Sequence, residues 1–174
     1  MKPSTSAFQP VILSFVILSA TWALAVPQAK ERAPRFNAKT MSGEIFTNQS
    51  TKGKVVLLEF WTTWCPYCST EAPFVDKLHK EFGDKGLLVL TINVGESKKT
   101  VKKYLEQHPR ATRTILTDDT NLAAMYEAVE YPIYVVIDKD GNIAATQHGA
   151  AGEEALRDLV ATAGIGPKED AESK

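Results

Sequence analysis

The chain has 174 residues, 44% of them apolar, enough to bury one well-packed core and too few for two comfortable ones. Its 20 basic and 21 acidic residues leave a net charge of -1, which excludes a global electrostatic pull toward nucleic acid or anionic lipid. Partners must therefore be sought in local features. At the N-terminus, no charge follows Lys2 until Lys30, and VILSFVILSATWALA supplies about fifteen mostly apolar residues. The pattern is that of an export signal over residues 1–25. Ala23 and Ala25 stand in the small-x-small relation that a signal peptidase accepts, so cleavage after Ala25 and retention as a membrane anchor both stay open. Either outcome puts the rest of the chain outside the cytoplasm. No cysteine follows the apolar run, which rules out lipid attachment at a mature N-terminal cysteine.

Residues 26–34, VPQAKERAP, read as a linker, and RFNAKTMSGEIFT, centred on Ser-Gly, reads as a hairpin. VVLLEFW is a continuous apolar run of strand length, the signature of a parallel strand covered on both faces, interrupted only by Glu59. Beyond it, Ala72, Val75, Leu78 and Phe82 recur at helical spacing, and Pro66 suits a first helical position, where its missing N–H costs nothing. Pro73, well inside that helix, is expected to kink it. LLVLTINV reads as a second buried strand. KKTVKKYLEQH reads as a helix with Val101, Tyr104 and Leu105 as its apolar stripe and lysines on its solvated face, not as a nucleic-acid surface. TRTILTD suggests a short strand and NLAAMYEAV a short helix, ended by Pro132. IYVVID is a third strand, and the Asp-Gly turn of DKDGN folds NIAATQH back on it. GEEALRDLVATA is a last helix with acids at its start and Leu156, Leu159, Val160 and Ala163 on its buried face. The domain so defined spans 35–165, and the polar tail 166–174 is expected to be disordered. Strands alternating with helices and closed by a hairpin and helix make an α/β fold with a mixed central sheet flanked by helices.

The two cysteines of the chain, Cys65 and Cys68, lie in EFWTTWCPYC, just past a buried strand and at the start of a helix. There the first sulfur meets unpaired backbone N–H groups and the positive end of the helix dipole, both of which favour thiolate over thiol. The second cysteine, one turn on, is within disulfide reach. Two other uses compete with this redox pair. A structural disulfide closing so small a ring would contribute only about 2 kcal/mol. A zinc site needs four ligands, whereas His79, His108 and His148 are scattered singly.

The segment FWTTWCPYCSTEAPF, with Pro73 eight residues after Cys65, resembles the active-site strand and helix of the thioredoxin superfamily, and most closely its TlpA/ResA branch. The N-terminal apolar segment, the hairpin, TINVGES, Pro132 before IYVVID and the closing DGNI turn are similar to that branch in order, from about Phe36 to Ala163. The resemblance implies a thioredoxin-like fold with an N-terminal β-hairpin and a central insertion. It implies Cys65 as attacking thiolate, Cys68 as resolving thiol, and Trp61 and Trp64 as walls of the site. It also implies Pro132 as a cis-proline whose preceding backbone pairs with a substrate strand, so that Trp64, Pro66, Tyr67, Tyr131 and Pro132 form the substrate-binding surface.

Glu59 falls where thioredoxins keep a buried Asp; buried in that apolar strand, its carboxyl would have a raised pKa and could take the proton of Cys68. An edge position facing water is the alternative. Glu71 matches a glutamate that this branch keeps near its thiols; the alternative is compensation of the helix dipole. Glu59 is favoured for proton transfer and Glu71 for tuning. The inner dipeptide Pro66-Tyr67 and the bulky Tyr131 depart from the branch and concern substrate choice.

The activity implied is dithiol-disulfide exchange without a cofactor or metal. The resemblance implies a reductant of exported disulfide proteins such as apocytochrome c, recharged by a membrane thiol donor of the DsbD/CcdA type. A very low Cys65 pKa would instead make the protein an oxidant. A thiol peroxidase is a second reading, because Thr62 lies three before Cys65, although Leu58 stands where peroxiredoxins have proline. A copper-delivery protein on the same fold is a third, although such proteins usually separate their cysteines by three residues, against two here, and add a histidine.

Overall fold

A computed structural model describes residues 30–166. The export segment 1–25 and most of the tail 166–174 lie outside the described residues. Seven strands form one sheet in the order β2-β1-β5-β4-β3-β6-β7. At its centre β3 (Val55–Trp61) pairs in parallel with β4 (Leu87–Asn93), and β4 with β5 (Arg113–Thr120). β6 (Ile133–Ile137) and β7 (Ile143–His148) continue antiparallel on one side, and β1 (Asn37–Thr40) with β2 (Ile45–Thr47) forms the expected hairpin on the other. The sheet is mixed, as the sequence implies. The expected central insertion lies between β4 and β6 and contains α2 (Lys98–Gln107), β5 and α3 (Leu122–Met125).

β3 and β4 are buried along their whole length because both faces are covered, which is why they read as unbroken apolar runs. Val56, Leu58, Leu90 and Ile92 face Phe36, Ala33 and α3, whereas Val55, Leu57 and Val89 face α1 (Pro66–Phe82) and α4 (Gly152–Ala161). Period-two alternation sends Glu59 and Trp61 to the helix-covered face too. α1 continues through Pro73, which deprives the Ser69 carbonyl of its usual partner.

Two expectations need correction. The helix anticipated over NLAAMYEAV is a single turn, Leu122–Met125, because Glu127 takes a left-handed φ of 47° and turns the chain toward β6. Lys30–Pro34, anticipated as linker, belongs to the domain. Arg32 bridges Asn142, Ala33 donates its N–H to the Gly141 carbonyl, and Glu31 accepts from the Ile143 N–H. These residues strap the chain to the β6–β7 turn, whose sharp reversal uses Gly141 at φ 84°.

Asp138 organises that turn, accepting hydrogen bonds from the Asp140 and Asn142 N–H groups and from Lys30 Nζ at 2.9–3.0 Å. Burial opposes its charge, but the donors prevail and hold its pKa at about 2. A carboxyl whose folded pKa is depressed contributes stability that is full above the unfolded value of about 3.9 and lost as pH falls through the folded one. Urea unfolding from pH 5 to pH 2 should therefore show a loss of stability below about pH 4 that Asp138→Asn reduces.

Candidate active site

The loop after β3 ends at Cys65, whose extended backbone makes it the N-cap of α1, with Pro66 at the first helical position. Serine, threonine or an acid usually fills an N-cap. Here the Cys65 Sγ accepts the Cys68 N–H at 3.1 Å, so sulfur occupies the place of the usual oxygen. Cys65 and Cys68 are joined by a disulfide, with Cα atoms 5.3 Å apart. Both are buried with Trp61 in a cluster against which Tyr131 and Tyr104 pack.

Trp64 and Tyr67 flank the pair differently from Trp61. They are 68% and 65% exposed, and Trp64 meets the Tyr131 ring edge-on at 5.9 Å between centroids. The Tyr131–Pro132 peptide bond is cis, and the Pro132 carbonyl accepts the Gly149 N–H. An exposed aromatic rim thus surrounds a buried disulfide at the C-terminal ends of the parallel strands.

Glu59 is fully buried, with β4 and β6 paired on either side of it, which removes the water-facing alternative. Its Oε2 lies 2.8 Å from Arg110 Nη2, and its Oε1 is buried without a partner. Burial pushes its carboxyl up, Arg110 opposes the rise, and Asp76 and Glu71 add to it. Arg110 also bonds Asp76 through Nε at 3.0 Å and lies over the Trp61 ring. Burial works against the guanidinium's charge, yet Glu59 and Asp76 hold its pKa above the ordinary value.

Glu71 is buried as well, but its partners lie across the molecule. Its Oε2 accepts the Tyr134 hydroxyl at 2.7 Å, and its Oε1 accepts the N–H groups of Ala151 and Gly152. It therefore serves a helix dipole, though that of α4, not that of its own α1. Burial, then Glu59 and Glu71, push the Tyr134 phenol far up, so it remains a donor.

Nothing in the sequence marks Arg110, Asp76 or Tyr134, because each meets its partner across the fold. Glu96 lies in TINVGES without a role legible there. Its carboxylate accepts the Thr63 N–H at 2.6 Å, the Thr63 hydroxyl, and Asn93 Nδ2 at 2.7 Å, fixing the loop that presents Cys65. Among the described residues no three His, Cys, Asp or Glu side chains are grouped to hold a metal ion.

Residues 29–146 match the profile of the AhpC/TSA family. The chain belongs to that family, and its fold and active-site segment make it a TlpA/ResA-like protein of the thioredoxin superfamily. The thioredoxin-like protein YneN of Bacillus subtilis is 40% identical over 119 residues, 67% of this chain and 69% of its own. The thiol-disulfide oxidoreductase ResA of Halalkalibacterium halodurans is 26% identical over 161 residues, 92% of each chain. Among solved structures, a thioredoxin-family thiol:disulfide interchange protein of Chlorobium tepidum superposes with a TM-score of 0.69 at 25% identity, covering 79% of this chain and 99% of that one. Family, fold and the Cys65–Cys68 pair make this chain a thiol-disulfide oxidoreductase of thioredoxin type.

In this family member, removing the Glu71 carboxylate should cost stability, since it strands a buried hydroxyl and two helix N–H groups. Glu71→Ala is expected to lower unfolding free energy by about 2–3 kcal/mol, measured in urea. Glu96→Ala strands the buried Asn93 amide, so it should lower unfolding free energy by about 1–2 kcal/mol and loosen residues 62–64, seen as faster amide exchange at Thr63.

Proposed function

We propose that the protein is an extracytoplasmic reductant of disulfides in exported proteins, with apocytochrome c as the leading substrate class. One observation supports the chemistry above all: the Cys65 sulfur sits on the N-terminus of α1, on the Cys68 N–H, and within bonding reach of the Cys68 sulfur. A charge placed there is favoured by the backbone dipoles and by that hydrogen bond, so the reduced Cys65 is the thiolate and the nucleophile.

Cys65 thiolate attacks one sulfur of the substrate disulfide. A bond forms to Cys65, the substrate S–S bond breaks, and the other substrate sulfur leaves as thiolate and takes up a proton. Cys68 then gives its proton to Glu59 and attacks Cys65 Sγ. This forms the Cys65–Cys68 bond and releases the second substrate sulfur, to which a proton returns. The substrate gains two electrons from the enzyme's two sulfurs, one proton from Cys68 by way of Glu59, and one from solvent, where the ionisation of Cys65 left it.

Trp64, Tyr67 and Tyr131 offer an apolar landing around Cys65, while the backbone beside Pro132 offers hydrogen bonds to an extended substrate. The export signal of residues 1–25 supports action outside the cytoplasm, where a reductant needs an electron source. A membrane thiol donor of the DsbD/CcdA type fits that need. Glu71, on the buried face of α1 and tied to the start of α4, tunes the site by fixing that helix.

Cys68→Ser in the native host should hold substrates on Cys65 as mixed disulfides. Apocytochrome c among them is the expected result; a broad set of secreted proteins without it contradicts the assignment. In the purified protein, Glu59→Gln should slow release from the mixed disulfide by about 10²-fold near pH 7, leaving the first attack little changed.

A further inference from the structure

The buried Glu59 does not stand alone. Arg110, in the short segment between α2 and β5, reaches beneath α1 and touches both Glu59 and Asp76; its side chain is only 6% exposed. Asp76 fixes the arginine from two sides, accepting Arg110 Nε at 3.0 Å and the Ala111 N–H at 3.0 Å. The Trp61 ring, which packs with both cysteines, lies under the guanidinium at 6.0 Å. The other titratable groups near Glu59 are Glu71 on α1, Tyr134 on β6 and Tyr104 on α2, with the cysteine pair beside Trp61.

We propose that Arg110 is a positioning residue that controls the protonation of Glu59, and through it the proton transfer from Cys68. The inference rests on the reading of Glu59 as proton acceptor.

Charge and geometry support it together. With Glu59 ionised, two carboxylates share one guanidinium, and a net negative charge is left in an apolar layer. With Glu59 protonated, Asp76 and Arg110 form a neutral pair. The cluster therefore accommodates either state of Glu59, as a proton acceptor that must later release its proton requires. A fully buried glutamate without a cation would be held protonated across the neutral range and could accept nothing. Arg110 also decides which oxygen works. It ties Oε2 and leaves Oε1, buried and unpartnered, as the atom for the incoming proton. The arginine's fixed fork suits the task, since it spans two carboxylates at once.

The test follows the carbonyl stretch of protonated Glu59 by infrared difference spectroscopy on the reduced full chain, assigned by its loss in Glu59→Gln. Arg110→Gln is expected to raise Glu59's proton affinity tenfold or more, moving its midpoint up by at least one pH unit. The same variant should slow release from the mixed disulfide at pH 7 in proportion to the lost ionised fraction. Adding it to Glu59→Gln should change that rate no further. Asp76→Asn keeps the arginine, removes the competing carboxylate, and should move the midpoint down.

A folded Arg110→Gln protein whose midpoint stays within twofold of the wild type overturns the proposal. So does an unmoved midpoint in Asp76→Asn, the deciding variant if Arg110→Gln does not fold. Midpoints that shift while Glu59→Gln leaves release from the mixed disulfide unchanged defeat the proton-acceptor reading and keep the Arg110–Glu59 coupling. Midpoints that stay put while Glu59→Gln slows release defeat the coupling alone.

Discussion

The first turn of α1 has backbone N–H groups with no partner of their own, and the chain supplies sulfur to meet one of them. Cys65 does as N-cap what serine or aspartate does elsewhere, but its sulfur can carry charge, attack and be displaced. The rest of the fold serves that placement. β3 brings the chain to the end of the sheet fully buried, Glu96 pins the loop that follows, and Pro66 starts the helix at the required residue. The tight spacing then lets Cys68, one turn on, close the ring from the buried face of the same helix.

Beneath α1 the fold holds a cluster of polar and ionisable groups. Glu59, Asp76, Arg110 and Glu71, with the neutral Tyr134 phenol, lie between the helix layer and the sheet, and they divide into two separate jobs. Glu71 and Tyr134 tie α1 to the start of α4, joining the helices that cover one face. Glu59, Arg110 and Asp76 bind α1 to the segment entering β5, beside Trp61 and the cysteines. A buried ion pair is poor evidence for stability alone, because desolvation can exceed the Coulombic gain. What links it to the redox pair is the Trp61 ring, which lies under Arg110 and packs with both cysteines.

How much of this was legible depended on whether a feature is local. The continuous apolar runs of β3 and β4, the Asp-Gly turn before β7 and the 3.6-residue stripes of α2 and α4 follow from period and turn chemistry, which neighbours in sequence determine. Pro66 and the cysteines likewise announce the start of α1. Glu59 could be flagged as a carboxylate in an apolar strand, whereas its partner Arg110, 51 residues away, could not, since nothing in HPRAT distinguishes a buried arginine from a solvated one. Glu71 shows the same limit, because helix-dipole compensation was readable but the helix it serves, α4, was not. The strap formed by Lys30–Pro34 looked like a linker because its composition is polar, and only its pairing with the β6–β7 turn makes it structure.

Disulfide exchange at this site requires Cys65 to be anionic at neutral pH when the bridge is reduced. Iodoacetamide alkylation of Cys65 in the Cys68→Ser protein, followed against pH, tests this directly. The helix N-terminus requires a titration midpoint below the value of about 8.5 for a free cysteine, with fast labelling already at pH 7. A midpoint at or above that of a peptide thiol, in protein shown to be folded, would contradict it.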